Sequence, residues 1–165
     1  MGKIIVKKRH TVRKSQVAGL LEALTGEIGP LAELFRGDQI EIAETTCPFQ
    51  LYLVDKRPLV FSGEDWVFPT LRGAIERPFP GRKVTVDSGA VKFVVNGADI
   101  MRPGITAVSD DVKAGRPVQI VEERHGKPLA IGIALFDAAA MRAETQGKMV
   151  KTLHHVGDEI WNLEF

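Results

Sequence analysis

The chain has 165 residues, enough for one medium domain or two small ones with a real core, and its 22 basic and 21 acidic residues leave a net charge of only +1. That balance excludes a polycationic nucleic-acid coat, so any basic surface has to come from local arrangement. Cys47 is the one cysteine, which excludes an internal disulfide and fits a reducing compartment. No apolar run approaches the roughly 18 residues of a membrane span, and the N-terminus lacks the order of a signal peptide, so the expected location is cytoplasmic.

Taken in order, residues 3–7 read as a strand, and the segment to residue 14 holds Lys3, Lys7, Lys8, Arg9, Arg13 and Lys14 with no acidic residue. Such a run is either a patch that meets phosphate or a strand edge whose lysines discourage aggregation. Ser15 is the N-cap candidate for a helix with Val17, Leu20, Leu21 and Leu24 on one face, and Thr25-Gly26 is its expected stop. Leu31, Leu34 and Phe35 make a second short helix ended by Gly37. From Gln39 the period changes to two: strands are expected around Ile40 and Ile42, Leu51 and Leu53, 59–61 and 66–68. Pro69 is expected to open a helix through Leu71 and Ile75. Pro78-Phe79-Pro80-Gly81 is a sharp linker, which gives expected domains at 1–80 and 81–165.

In the second half, residues 84–86 suit a strand, and Asp87 or Ser88 caps a short helix with Ala90, Val91, Val94 and Val95 on one face. Asn96-Gly97 ends it, and Arg102-Pro103-Gly104 is a tight turn in which proline presets φ and glycine takes a positive φ. Strands follow at 118–121 and 129–135, a short helix at 138–144, and a last hairpin pairs 148–155 with 160–163. The fold class is therefore α+β, a small mixed α/β domain followed by a partly open β-barrel with helices over its ends.

Catalytic constellations are missing. His10, His125, His154, His155 and Cys47 give no zinc spacing, and neighbouring residues on a strand face opposite ways, so His154 and His155 do not share an ion. Ser88 beside Asp87 lacks a nucleophile elbow, Asp110-Asp111 reads as a turn or cap, and there is no phosphate loop or dinucleotide fingerprint. The expectation is no catalytic residue, no metal and no cofactor.

The order of strand 84–86, Asp87, Gly89-Ala90, apolar helix 91–95, Gly97-Ala98 and Pro103-Gly104 resembles the opening of a PUA domain, a small RNA-binding fold. Gly147-Lys148, Leu153-His154, Gly157-Asp158 and Trp161 are similar to its closing hairpin. Phe68-Pro69-Thr70-Leu71-Arg72 resembles the segment joining the N-terminal domain to the PUA domain in the malignant-T-cell-amplified translation proteins and their archaeal relatives. On these residues the chain is identified as an archaeal-type member of that family, a pre-PUA domain followed by a PUA-type pseudo-barrel.

The resemblance implies RNA binding in the translation machinery, in initiation or recycling, rather than catalysis. The implied partners are tRNA or ribosomal RNA, the small ribosomal subunit, and a density-regulated-protein-like partner on the N-terminal domain, with no membrane. By position in a PUA domain, the RNA-binding residues are Gly89, Lys92, Asn96, Gly97, Arg102 and Gly104, with Lys151 on the closing hairpin. The glycines allow close approach of a phosphate, Lys92 and Arg102 supply charge, and Asn96 suits a base edge or a 2′-hydroxyl. Eukaryotic members usually have Cys where this chain has Arg102. Plain structural roles stay open for the same positions: turns for the glycines, a solvated helix face for Lys92, and packing for Phe93, Ile100 and Met101. Two other readings also stay open, an RNA-binding targeting subunit of an RNA-modification enzyme and a protein-interaction adaptor without RNA contact.

Overall fold

In the computed structural model, which describes residues 2–165, the period-two stretches of the first half form five strands. Met1, where the first expected domain begins, lies outside the described residues. β1 (Val6–Thr11), β2 (Ile40–Thr45), β3 (Gln50–Val54), β4 (Arg57–Ser62) and β5 (Val67–Pro69) lie side by side in sequence order, each antiparallel to the next. The first strand begins later than expected. Ile5 is tied instead to Thr46, whose hydroxyl accepts its N–H and whose N–H donates to its carbonyl. Asp55 and Lys56 take positive φ values of 49° and 71° between β3 and β4, the geometry of a two-residue hairpin turn that matches strand twist.

Helix α1 (Lys14–Ile28) starts one residue before the expected cap, with the Gln16 side chain accepting the N–H of Arg13. It also runs through Gly26, because the terminating residue is Gly29, whose φ of 70° a side chain would resist. Leu20, Leu21 and Leu24 are buried, and a 3-10 turn over Gly29–Phe35 adds Phe35 to the same core with Ile40, Val54 and Leu59. Pro69 ends β5 rather than opening a helix. Thr70 is the cap of α2 (Leu71–Glu76), its hydroxyl accepting the Gly73 N–H at 3.1 Å and donating to the Pro58 carbonyl at 2.7 Å. α2 lies directly on β4, since a Cβ added at Gly73 would stand 2.1 Å from the Leu59 carbonyl oxygen.

The second half builds β6 (Lys83–Val86), α3 (Val91–Val94), β7 (Ile100–Met101), β8 (Ile105–Val108), β9 (Pro117–Glu122), β10 (Pro128–Ala134), α4 (Ala138–Ala143) and β11 (Lys148–His155). The strands make one sheet in the order β7-β11-β10-β9-β6-β8, antiparallel except for the β6–β9 pair. Its two end strands, β7 and β8, are joined by the three residues Arg102–Gly104, so the sheet must curl until its ends meet and becomes a nearly closed barrel. Val84, Val86, Val118, Ile120, Ala130 and Val150 fill the interior, with Val94 of α3 and Met141 of α4 packed against them. Arg102 fastens the closure. Its guanidinium donates to the carbonyls of Met141, Ile105 and Arg142 at 2.8, 3.1 and 3.3 Å, and its N–H to that of Gly147 at 2.8 Å.

The expected last hairpin is replaced by a compact turn. The Asp158 carboxylate accepts the N–H groups of His155 and Trp161 and meets Nδ1 of buried His154, all at 2.9 Å, which folds the chain over instead of sending it back as a strand. Burial pushes the Asp158 carboxyl up, but the hydrogen bond and charge of His154 and the two N–H donors outweigh it and hold the group below its ordinary 3.8. By compactness the described chain divides into a unit that ends at Phe79 and takes in Asn162–Phe165, and a unit spanning Pro80–Trp161. Among the described residues, no helix is long and apolar enough to cross a membrane.

Three outcomes are expected, each read by native-state hydrogen exchange, which resolves the two units separately. Gly73→Ala forces α2 off β4 and lowers the stability of the first unit by about 1–3 kcal/mol. Arg102→Ala leaves three carbonyls without their donor and lowers barrel stability by about 1–3 kcal/mol. Because the folded Asp158 carboxyl sits below its unfolded value, its contribution is complete above pH 3.8 and lost as pH falls through the lower folded value. The stability advantage of the parent over Asp158→Asn therefore holds at neutral pH and shrinks below 3.8.

Candidate nucleic-acid interface

Val91, Val94 and Val95 turn toward the barrel core at helical spacing, which carries the intervening Phe93 outward. Phe93 is 57 % exposed, and across from it on β7 Met101 is 49 % exposed, whereas Ile100 beside it is buried. Between them lies a groove of about 540 Å³, with Asp87, Gly89 and Ala90 on the helix side and Asp99, Pro103 and Gly104 on the other. Asp87 shapes the helix side, since its Oδ1 accepts the Ala90 N–H at 2.9 Å at the start of the single helical turn. Gly104 does not take a positive φ. Its role is close approach, because a Cβ there would stand 3.2 Å from that of Ala90. Gly97 does take one, 88°, and a Cβ on it would meet the His155 ring at 3.0 Å.

The charges around the groove are few, and one ion pair, Asp99 with Lys148, stands among them. Lys92 is exposed on α3, with its ammonium 5.1 Å from the Phe93 ring centroid. At the β11 end, Asp99 accepts the Thr152 N–H and holds Lys148 in an ion pair, both at 2.9 Å. Burial pushes the Asp99 carboxyl up, but Lys148, the Thr152 N–H and the nearby charge of Lys151 together hold it below its ordinary value, so it stays ionised at neutral pH. Lys151 itself is exposed and has no ion pair among the described residues.

The expected RNA-binding residues thus fall into groups. Gly89 and Gly104 line the groove, Lys92 stands beside it, and Lys151 lies near Asp99 at its end. Asn96 uses its side-chain N–H to close the helix on the Lys92 carbonyl at 2.8 Å, and Gly97 makes the turn beneath His155. Arg102 brings charge to the turn, but its donors are engaged with backbone carbonyls. His154, which shares the closing strand with Lys151, is buried on Asp158 and does not extend the surface. The residues that sequence reasoning assigned to packing and the structure exposes are Phe93 and Met101. The signal for Phe93 was present, since the core spacing of 91, 94 and 95 is complete without it. The Ser88 hydroxyl donates to Glu123 at 3.2 Å, and among the described residues no cluster of three ligating side chains could hold a metal.

Comparison with known proteins agrees with this architecture. The PUA domain profile matches residues 82–156, and the profile of a domain of unknown function, DUF1947, matches residues 8–76. An uncharacterised protein of Methanocaldococcus jannaschii is 38% identical over 160 residues, covering 96% of this chain and 98% of that protein. Translation machinery-associated protein 20 of Saccharomyces cerevisiae is 35% identical over 130 residues, 75% of this chain and 72% of the yeast protein. The crystal structure of a hypothetical protein from the hyperthermophilic archaeon Pyrococcus horikoshii superposes with a TM-score of 0.85 at 35% identity, covering 93% and 98% of the two chains. Two matched domains in the same order, with likeness along nearly the whole chain, settle the relationship: the chain belongs to the malignant-T-cell-amplified and translation machinery-associated protein 20 family, as an archaeal-type member with a PUA domain over residues 82–156.

Proposed function

We propose that the protein is a non-catalytic RNA-binding component of the translation machinery, and that the groove beside Phe93 takes an unpaired nucleotide of tRNA or small-subunit ribosomal RNA. The observation that carries this reading is the exposed Phe93 ring at the mouth of an apolar groove, with the Lys92 ammonium next to it. A base stacks on such a ring whatever its identity, and the neighbouring cation suits the phosphate that follows it. Gly89 and Gly104 leave room for the sugar-phosphate backbone to come close, and Lys151 offers a second phosphate contact on β11. The translation setting rests on kinship with translation machinery-associated protein 20.

The test is a salt-dependent titration of the purified protein against total tRNA, small-subunit ribosomal RNA and whole small subunits. With about three or four phosphates contacted on a single strand, log affinity falls against log salt with a slope of roughly −2 to −3. Phe93→Ala weakens binding by about 1–3 kcal/mol without changing that slope. Lys92→Glu weakens binding and makes the slope shallower by about 0.7 or more. Arg102 is a poor probe because its replacement loosens the barrel. No binding by the parent to any of the three RNAs, or binding indifferent to both substitutions, would sink the reading.

A further inference from the structure

The first unit presents one sheet edge with no strand paired to it among the described residues. In its five-stranded sheet, β1 has β2 on one side and no described strand on the other. The Val12 N–H donates to the Ile40 carbonyl, so strand alternation turns the N–H and C=O of Arg9 and Thr11 away from β2. Their side of the strand is accessible, with Lys7, Lys8, His10 and Thr11 exposed and Arg9 half-buried. The opposite edge, β5, is closed to addition. It has three residues, two of them buried, and ends in Pro69 immediately before α2.

The open edge also has an uncompensated charge. No acidic residue occurs before Glu22, and while Lys8 and Arg9 meet Glu44 and Glu41, Lys3, Lys7, Arg13 and Lys14 have no ion pair among the described residues. A second copy of the same edge would set lysine against lysine, which disfavours self-association. A strand bearing carboxylates meets the opposite condition on every count. Ile5, 59 % exposed just before β1, adds an apolar contact for one of its alternate side chains.

We propose that β1 is the docking edge for an extended acidic segment of a partner protein, which joins the sheet as an added outer strand held by the outward N–H and C=O groups of Arg9 and Thr11. The backbone bonds supply affinity, and the cations select an acidic sequence and set its register. An RNA strand would use the same cations but not the outward backbone row, so the two are separable.

The probe is a synthetic peptide of alternating glutamate and valine, roughly ten residues long, compared with its lysine-valine counterpart and with an oligouridylate of similar length. Addition of the acidic peptide to the full chain is expected to protect the Arg9 and Thr11 amides from hydrogen exchange, while the lysine peptide leaves them unchanged. Thr11→Pro removes one outward N–H without touching the β1–β2 ladder and should abolish that protection. A Lys7→Glu, Arg13→Glu double variant should weaken the peptide about tenfold. The proposal is overturned if the parent's Arg9 and Thr11 amides gain no protection from the acidic peptide. It is equally overturned if the oligouridylate binds with affinity lost in the charge-reversed variant and retained in Thr11→Pro while the acidic peptide does not bind. The protection measurement on the parent decides the matter even where a variant folds poorly.

Discussion

The constraint on which the second unit depends is the shortness of the link between its two end strands. β7 and β8 stand at opposite ends of a six-stranded sheet, yet only Arg102, Pro103 and Gly104 separate them along the chain. A flat sheet of that width would hold its ends more than 20 Å apart at the usual strand spacing, so closure is compulsory. The guanidinium of Arg102 makes it a defined geometry by gathering carbonyls from β8 and from the end of α4. A cation is well suited to this task, because one planar fork satisfies several carbonyls that curvature has pulled off any ladder.

The groove is a by-product of the same closure. Its far wall is the linking turn and the short strand before it, and its near wall is the single helical turn that Asp87 starts and Gly97 ends. Both walls are therefore positioned by the barrel closure and by the helical turn packed on it. Pairing of Lys148 with Asp99 keeps the local field modest, which agrees with a chain whose charges nearly cancel overall. What the groove offers is shape and an aromatic face, with Lys92 and Lys151 as its available cations.

Much of this was legible in the residues. Alternation of apolar and polar positions located the strands of the first half, and the run from Val84 to Gly104 carried the order strand, cap, helix and turn that resembles a PUA domain. Two of the failures, at Arg102 and Pro69, share a cause, which is contact between residues far apart in sequence, whereas the other two are local. Arg102 looked like a surface cation because Met141 and Arg142, whose carbonyls it holds, are about forty positions away. Pro69 looked like a helix start because nothing local shows that its strand must reach β4 before Thr70 caps the helix. The end of α1 was misplaced since Gly26 and Gly29 read alike as letters, and only Gly29 needs a backbone that glycine alone adopts freely. Residues 160–163 read as a strand by composition, but the Asp158 carboxylate draws the chain into a turn first.

The position of β11 in the sheet governs when the barrel becomes a barrel. It lies between β7 and β10 although it is the last strand in sequence order, pairing Lys148 with Met101 across nearly fifty residues. As the chain leaves the ribosome, β7 has no neighbour in the sheet and β10 keeps an open edge until residues 148–155 emerge. The second unit thus remains a half-made sheet for most of its synthesis and closes in one late, long-range step, while the first unit, a meander of neighbouring strands, completes its sheet as it appears.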